Sequence, residues 1–153
     1  MRSKIGLLAL ALWVMTLAGA VTLFVRGHTT TSPDGPVAVI LSEAERDMVL
    51  GEMRGMLLAI ANITTALARE DRPAIAAAAK AVGTAHAAEG DRAALMLKLP
   101  LEFKRSALAM HAGFDKIEAA ARDVKSIAEI TALVGEHLGL CIGCHAGYRF
   151  TVR

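Results

Sequence analysis

The chain has 153 residues, enough for one domain and an N-terminal targeting segment. Hydrophobic residues make up 54% of it and aromatic residues only 4%, which favours helices over a β-sandwich or barrel. Three of the 17 Lys and Arg residues, but none of the 15 Asp and Glu residues, lie within the first 26 positions. The remainder is close to neutral, which disfavours binding to nucleic acid.

Residues 1–26 are predicted to be a signal peptide or a membrane anchor. Arg2 and Lys4 precede the uncharged run IGLLALALWVMTLAGAVTLFV, residues 5–25, which at about 1.5 Å per residue can cross a hydrocarbon core of about 30 Å. The basic residues place the N-terminus in the cytoplasm and export the rest. A signal peptidase could cleave after Ala20, but the product would begin with exposed apolar residues. We therefore expect an anchored domain on the periplasmic side of a bacterial inner membrane, or a soluble periplasmic one if cleavage occurs.

A linker at residues 27–41 and the first two helical segments are predicted next. Pro33, Gly35 and Pro36 break regular structure in the linker. Ser42 and Glu45 form a capping box that begins the first helix. Its apolar residues recur every three or four positions, at Val49, Met53, Met56, Ile60, Ile63 and Leu67. The alanine-rich second segment begins near Pro73 and is followed by a loop before Pro100.

Two further helical segments complete the predicted domain. Pro100 opens the third, whose apolar residues alternate at spacings of four and three: Phe103, Ala107, Met110, Phe114, Ile117, Ala121 and Val124. Ser126 and Glu129 form a second capping box at the start of the fourth. No strand-like alternation is evident, and short connections favour antiparallel neighbours. We predict an all-α, up-down-up-down four-helix bundle over residues 42–153, preceded by the N-terminal transmembrane or signal helix.

Both cysteines lie in the sequence CIGCHAGYR, residues 141–149. A redox dithiol needs its first cysteine at a helix N-terminus, where the dipole lowers the thiol pKa. This pair is expected near the C-terminal end of the fourth segment, where the dipole would raise the pKa, so a redox dithiol is disfavoured. Structural zinc usually needs four ligands, and the other histidines are scattered singly, at His28, His86, His111 and His137. A disulfide between Cys141 and Cys144 would close a very short loop and constrain little.

The arrangement C-x-x-C-H is also the c-type haem attachment motif, and this interpretation is favoured. Cys141 and Cys144 share one face of a helix, so both sulfurs can bond to adjacent vinyl groups of one porphyrin. His145 projects from nearly the same side and can bind the iron. Export agrees with this interpretation, since thioether attachment takes place outside the cytoplasm in bacteria. We therefore predict one covalently bound haem c.

A four-helix bundle that ends in this motif resembles the class II cytochromes c, that is, the cytochrome c′ family and its low-spin relatives. Their C-terminal pattern, C-x-x-C-H-x-x-aromatic-Arg, is matched by Cys141, Cys144, His145, Tyr148 and Arg149. The resemblance implies that the two cysteines form the thioethers and that His145 is the proximal iron ligand. It also implies that Arg149, one turn later, lies beside the proximal haem face or a propionate.

On the distal side of the iron, the family presents a Leu or Met from its first helix. Met53 and Met56 lie on the inward seam of the first segment, and Met48 lies outside it. We predict Met53 as the sixth ligand of the iron. Met56 is an alternative ligand, and the iron could also lack a methionine ligand, because methionine commonly fills cores. The family often has an arginine four residues before the distal residue, where this chain has Val49 relative to Met53.

These expectations favour a single-electron-transfer protein and not an enzyme, because the chain shows no nucleophile–base pair or paired carboxylates that need a catalytic explanation. Methionine ligation would close the iron to other ligands and raise its potential. The partners would be redox proteins of a membrane or periplasmic electron-transfer chain. One alternative is a five-coordinate, cytochrome c′-like protein that binds NO or CO; another is a haem subunit of a membrane oxidoreductase. The resemblance is also compatible with a homodimer.

Overall fold

The computed structural model describes residues 2–87 and 93–153, which form a mostly helical chain with a small sheet. The helices are α1 (Arg2–Arg26), α2 (Glu43–Leu67), α3 (Arg72–Lys80), α4 (Thr84–Ala87), α5 (Ala93–Lys98), α6 (Leu101–Arg122) and α7 (Ile127–Gly147). The strands are β1 (Thr29–Thr30), β2 (Val37–Leu41) and β3 (Tyr148–Val152).

The predicted helix starts are confirmed. Ser42 caps α2 and Ser126 caps α7, each in a capping box with the glutamate three residues later. Pro100 is the N-cap residue of α6. The Asp71 side chain caps α3, and Pro73 lies in its first turn. The side chains of Ser42, Ser126 and Asp71 each accept a hydrogen bond from a backbone N–H that the first helical turn leaves without a partner.

Four helices enclose the main core. α2 packs against α3, α3 against α6, and α6 against α7, and α2 also touches α7. Fully buried side chains from all four helices meet there: Ile63, Ile75, Phe114, Ile117 and Ile130. Burial of a side chain of this size stabilises the fold by about 1.5–3 kcal/mol. The predicted third seam ends early, because α6 stops at Arg122 and Val124 is exposed with a φ of 56°.

The second predicted segment is not one continuous helix. α3 ends at Lys80, and a new turn begins at Thr84 because its backbone N–H and its hydroxyl both donate to the Asp115 carboxylate, at 3.1 and 2.6 Å. The predicted loop before Pro100 lies partly outside the described residues, at residues 88–92, and partly in α5. This region therefore supplies an additional short helix.

The all-α prediction is wrong in one respect, since residues 27–41 are not an irregular linker. β2 pairs with β1 in antiparallel orientation and with β3 in parallel orientation. Its residues Ala38 to Leu41 are all buried, so the run VAVIL is a core strand. The parallel register sets Val37 opposite Tyr148, and residues from both ends of the folded domain therefore meet in one sheet.

By length and composition, α1 and α7 are both apolar enough to cross a membrane. α7 packs against α6 in the core and contributes buried residues such as Ile130 and Val134. The described side chains of α1 are exposed along the helix, while contacts with α5 and α6 hold α1 to the domain. The domain thus packs against the end of a long apolar helix.

Candidate functional site

The two cysteines and the histidine after them line one cavity of about 450 Å³ between α2, α5, α6 and α7. Cys141, Cys144 and His145 belong to the last two turns of α7, whereas Met53 and Met56 belong to α2. Most other lining residues are apolar, among them Val49, Leu57, Leu99, Phe103, Leu108 and Leu138. The structure therefore brings together all the predicted site residues except Arg149.

The cavity lies at the end of the helices where the sheet packs. A second apolar cluster joins the sheet to α2, α5 and α6: Val39, Leu41, Val49, Leu95, Leu99 and Phe103. Met53 and Cys144 pack against this cluster. The Phe103 ring meets the rings of Tyr148 and Phe150 edge-on, with centroids 5.3 and 5.7 Å away. Packing of β3 therefore fixes where α7 ends, and with it the position of the CIGCH motif.

Both thiols are free and partly buried. The Cys141 Sγ lies 3.6 Å from the Met110 Sδ and donates to the His137 carbonyl oxygen at 3.8 Å. Burial raises the pKa of both thiols, and the neighbouring Cys141 raises that of Cys144 further. Both thiols are consequently protonated at neutral pH, unlike the reactive thiolate of a redox dithiol.

The ligand set around the motif does not resemble a structural zinc site. Within the described ranges, no three His, Cys, Asp or Glu side chains are grouped so that they could hold a metal ion, whereas structural zinc usually takes four such ligands. The His145 imidazole is exposed and borders the cavity. The site thus offers two thiols, one accessible imidazole and mostly apolar walls.

Two other histidines are core residues beside the cavity. The Nδ1 of His111 lies 2.8 Å from the Val82 carbonyl oxygen; because a carbonyl only accepts, this nitrogen carries the proton. His137 is buried against Phe114, with ring centroids 4.2 Å apart. Burial lowers the pKa of His137, and the nearby His111 adds to the effect. His86 lines a neighbouring cavity of about 370 Å³.

The candidate methionines separate between the two cavities. Met53 and Met56 line the cavity of the CIGCH motif, and Met56 also borders the neighbouring one. Met48 borders the neighbouring cavity and is 45% exposed, in agreement with its position outside the predicted seam. α2 therefore presents two thioether sulfurs to the same space as the cysteines of α7.

The predicted position of Arg149, one helical turn after His145, is wrong. α7 ends at Gly147, and Tyr148 is extended, with φ −136° and ψ 149°. Arg149 therefore lies on β3, where its Nη1 pairs with the Asp34 carboxylate at 3.0 Å. Because β3 pairs with β2, the chain leaves the helical path after Gly147, and Arg149 does not continue the face of α7 that carries His145.

The prediction of a loop before Pro100 misses a wall of the cavity. Leu95 and Leu99 are buried there, and the apolar run LMLKL is the signal that could have indicated α5. The Lys98 Nζ lies 2.7 Å from the Glu45 carboxylate, which ties α5 to the capping box of α2. The bonds from Lys98 and from the Ser42 backbone N–H lower the pKa of Glu45 to about 2.

Comparisons of this chain with protein-family models, with curated proteins and with solved structures found no match.

Proposed function

We propose that this chain is an exported c-type cytochrome that binds one haem covalently and transfers single electrons. The observation that carries the proposal is the shared cavity, onto which Cys141, Cys144 and His145 open together with Met53. A chance C-x-x-C-H sequence has no reason to face an apolar space with a thioether sulfur on another wall. A c-type haem site needs both features.

The residues present fit a haem group. Cys141 and Cys144 are three positions apart on α7, and both thiols are free to form thioether bonds. His145 would supply the proximal imidazole, and Met53 the sixth ligand. The cavity, at about 450 Å³, falls within the range of about 300–1,000 Å³ that is typical of ligand and cofactor sites. Arg149 is left out of the proposed site because it lies on β3 and pairs with Asp34.

Haem supplies the one-electron chemistry when it is bound. The protein would supply the iron ligands and set the polarity around them, and these two factors strongly affect the reduction potential. Apolar residues such as Val49, Leu99 and Phe103 would keep water away. The Met53 sulfur would close the sixth position, which favours electron transfer over ligand binding.

The proposal includes an antiparallel four-helix bundle of α2, α3, α6 and α7 and a location on the periplasmic side of an inner membrane. The packing order of these helices supports the bundle. Contacts of α1 with α5 and α6 support a retained anchor, because the end of α1 is then part of the domain. The expected partners are redox proteins of a membrane or periplasmic electron-transfer chain.

A second candidate is a five-coordinate protein that binds NO or CO. It is favoured by the apolar residues that share the α2 wall with the methionines, Val49 and Ile60. If neither methionine bound the iron, these apolar side chains would favour small uncharged molecules at the open position.

The optical spectrum of the ferric holoprotein tests the electron-transfer proposal. We expect a low-spin spectrum with a sulfur-to-iron charge-transfer band, and we expect Met53→Ala to abolish that band. Met56→Ala is the matched control, since it removes a thioether from the same wall, and it should leave the band in place. A high-spin wild-type spectrum that shifts on addition of CO would contradict electron transfer and support gas binding.

A further inference from the structure

The chain leaves α1 through a tight contact with the domain. Gly27 follows α1 with a φ of 63°, and a Cβ atom there would lie 2.6 Å from the carbonyl carbon of Leu99, so the position requires glycine. The next residue, His28, donates its backbone N–H to the Lys98 carbonyl at 2.6 Å. The end of α1 is thereby fixed against the end of α5.

Lys104 makes a second contact between the anchor and the domain. Its buried ammonium donates to the Phe24 carbonyl oxygen at 3.1 Å and lies 4.0 Å from the centroid of the Phe24 ring. A cation beside the last carbonyls of a helix also stabilises the negative end of the helix dipole. Because Lys104 lines the cavity as well, one side chain touches both the anchor and the candidate site.

Exposed apolar side chains lie next to this junction. Met96 and Leu97 on α5 are 40% and 55% exposed and directly precede Lys98, the residue that contacts His28. Arg26, in the last turn of α1, is also exposed and lies two positions before His28 in the chain. Large apolar side chains next to a basic residue are typical of surfaces that enter the interface of a bilayer with anionic lipids.

We propose that Met96 and Leu97 rest in the lipid interface of the membrane that α1 spans, on the side to which the domain is exported. The membrane span ends where Gly27 and Lys104 hold it against the domain, so the domain surface at this junction continues directly from the span. α5 must then lie beside the bilayer surface. The cavity, which has Met96 in its wall, is at the membrane-proximal end of the domain.

This inference rests on the retained anchor of the proposed function and does not depend on haem. Full-length protein is placed in nanodiscs of phosphatidylethanolamine and phosphatidylglycerol, with Leu97→benzoylphenylalanine as a photo-crosslinking reporter. The control is Ala128→benzoylphenylalanine, an exposed position in the first turn of α7, at the opposite end of that helix from the cavity. We expect a lipid-mass adduct with a several-fold higher yield at position 97 than at position 128.

Equal yields at the two positions, or an adduct at position 97 with the mass of a second chain, would overturn the proposal. Lys104→Met keeps an apolar stem and removes the ammonium, so it should lower the yield of the lipid adduct at position 97 several-fold. An unchanged yield would also count against the proposed membrane contact. The same intact mass shows whether haem is attached. If the lipid adduct is absent and haem is attached, the membrane contact alone is overturned. If the lipid adduct is present and haem is missing, the haem proposal alone is overturned.

Discussion

At the scale of single residues, His137 is a buried polar side chain in the core beside the site. It is 3% exposed, and among the described residues neither ring nitrogen has a hydrogen-bond partner. Protonation of His137 would place a charge in a desolvated site, and the nearby imidazole of His111 would repel that charge. The folded protein therefore keeps His137 neutral to a lower pH than the unfolded chain does.

We predict that this histidine makes the fold acid-sensitive. As the pH falls below 6.5, the ordinary pKa of the group, the unfolded chain binds a proton that folded His137 does not, so the free energy of unfolding decreases. Urea midpoints measured from about pH 7.5 to about pH 5.5, the range in which histidine titrates, should fall for the wild type and fall less for His137→Leu. Equal slopes for the two proteins would contradict this account.

Two glycines form a matched pair of tests for the packing around His137. A Cβ atom at Gly113 would lie 2.9 Å from the His137 Cε1, so Gly113→Ala should lower the free energy of unfolding by about 1–3 kcal/mol through overpacking. A Cβ atom at Gly135 would meet nothing within 4 Å, and Gly135→Ala should raise it by up to about 1 kcal/mol through helix propensity. Chemical denaturation of both variants measures the difference; stabilisation by both would show that α6 and α7 are less closely packed.

At the scale of elements, the helix starts were predictable and the sheet was not. Ser42 and Ser126 act on residues three positions away, so a short stretch of sequence contains the whole signal. β2 pairs with a strand at the other end of the domain, and the residues next to Val37 in the sequence do not indicate that partner. The same pairing ends α7, which is why the helical placement of Arg149 was wrong.

The two capping boxes differ in one respect that can be tested. Glu45 also pairs with Lys98 at 2.7 Å and links α2 to α5, whereas Glu129 is exposed and lies 3.8 Å from Lys125. Glutamine can still serve in a capping box, so the substitutions mainly remove the charge. We predict that Glu45→Gln lowers the urea midpoint at neutral pH more than Glu129→Gln does. Equal effects would mean that the Lys98 pair contributes little.

At the scale of the whole molecule, the site is assembled from residues distant in sequence. The shared helix face of Cys141, Cys144 and His145 was predictable because their spacing is local, and the inward direction of Met53 and Met56 was predictable because the seam has a period of 3.6. The role of these residues in holding haem stays a prediction. The wall formed by α5 was not predicted, because its place beside the cavity depends on where the sheet and α1 pack. The choice between the two methionines as the ligand of the proposed haem would likewise depend on their three-dimensional distances to its iron, which spacing in the sequence does not give.

Intact mass spectrometry of the full chain, exported in a host that matures c-type cytochromes, tests the central claim most directly. We predict a denatured polypeptide that carries the additional mass of one haem and keeps its colour through acid extraction. A variant with both Cys141→Ser and Cys144→Ser should have the mass of the polypeptide alone. A colourless wild-type chain with only the polypeptide mass would contradict the account.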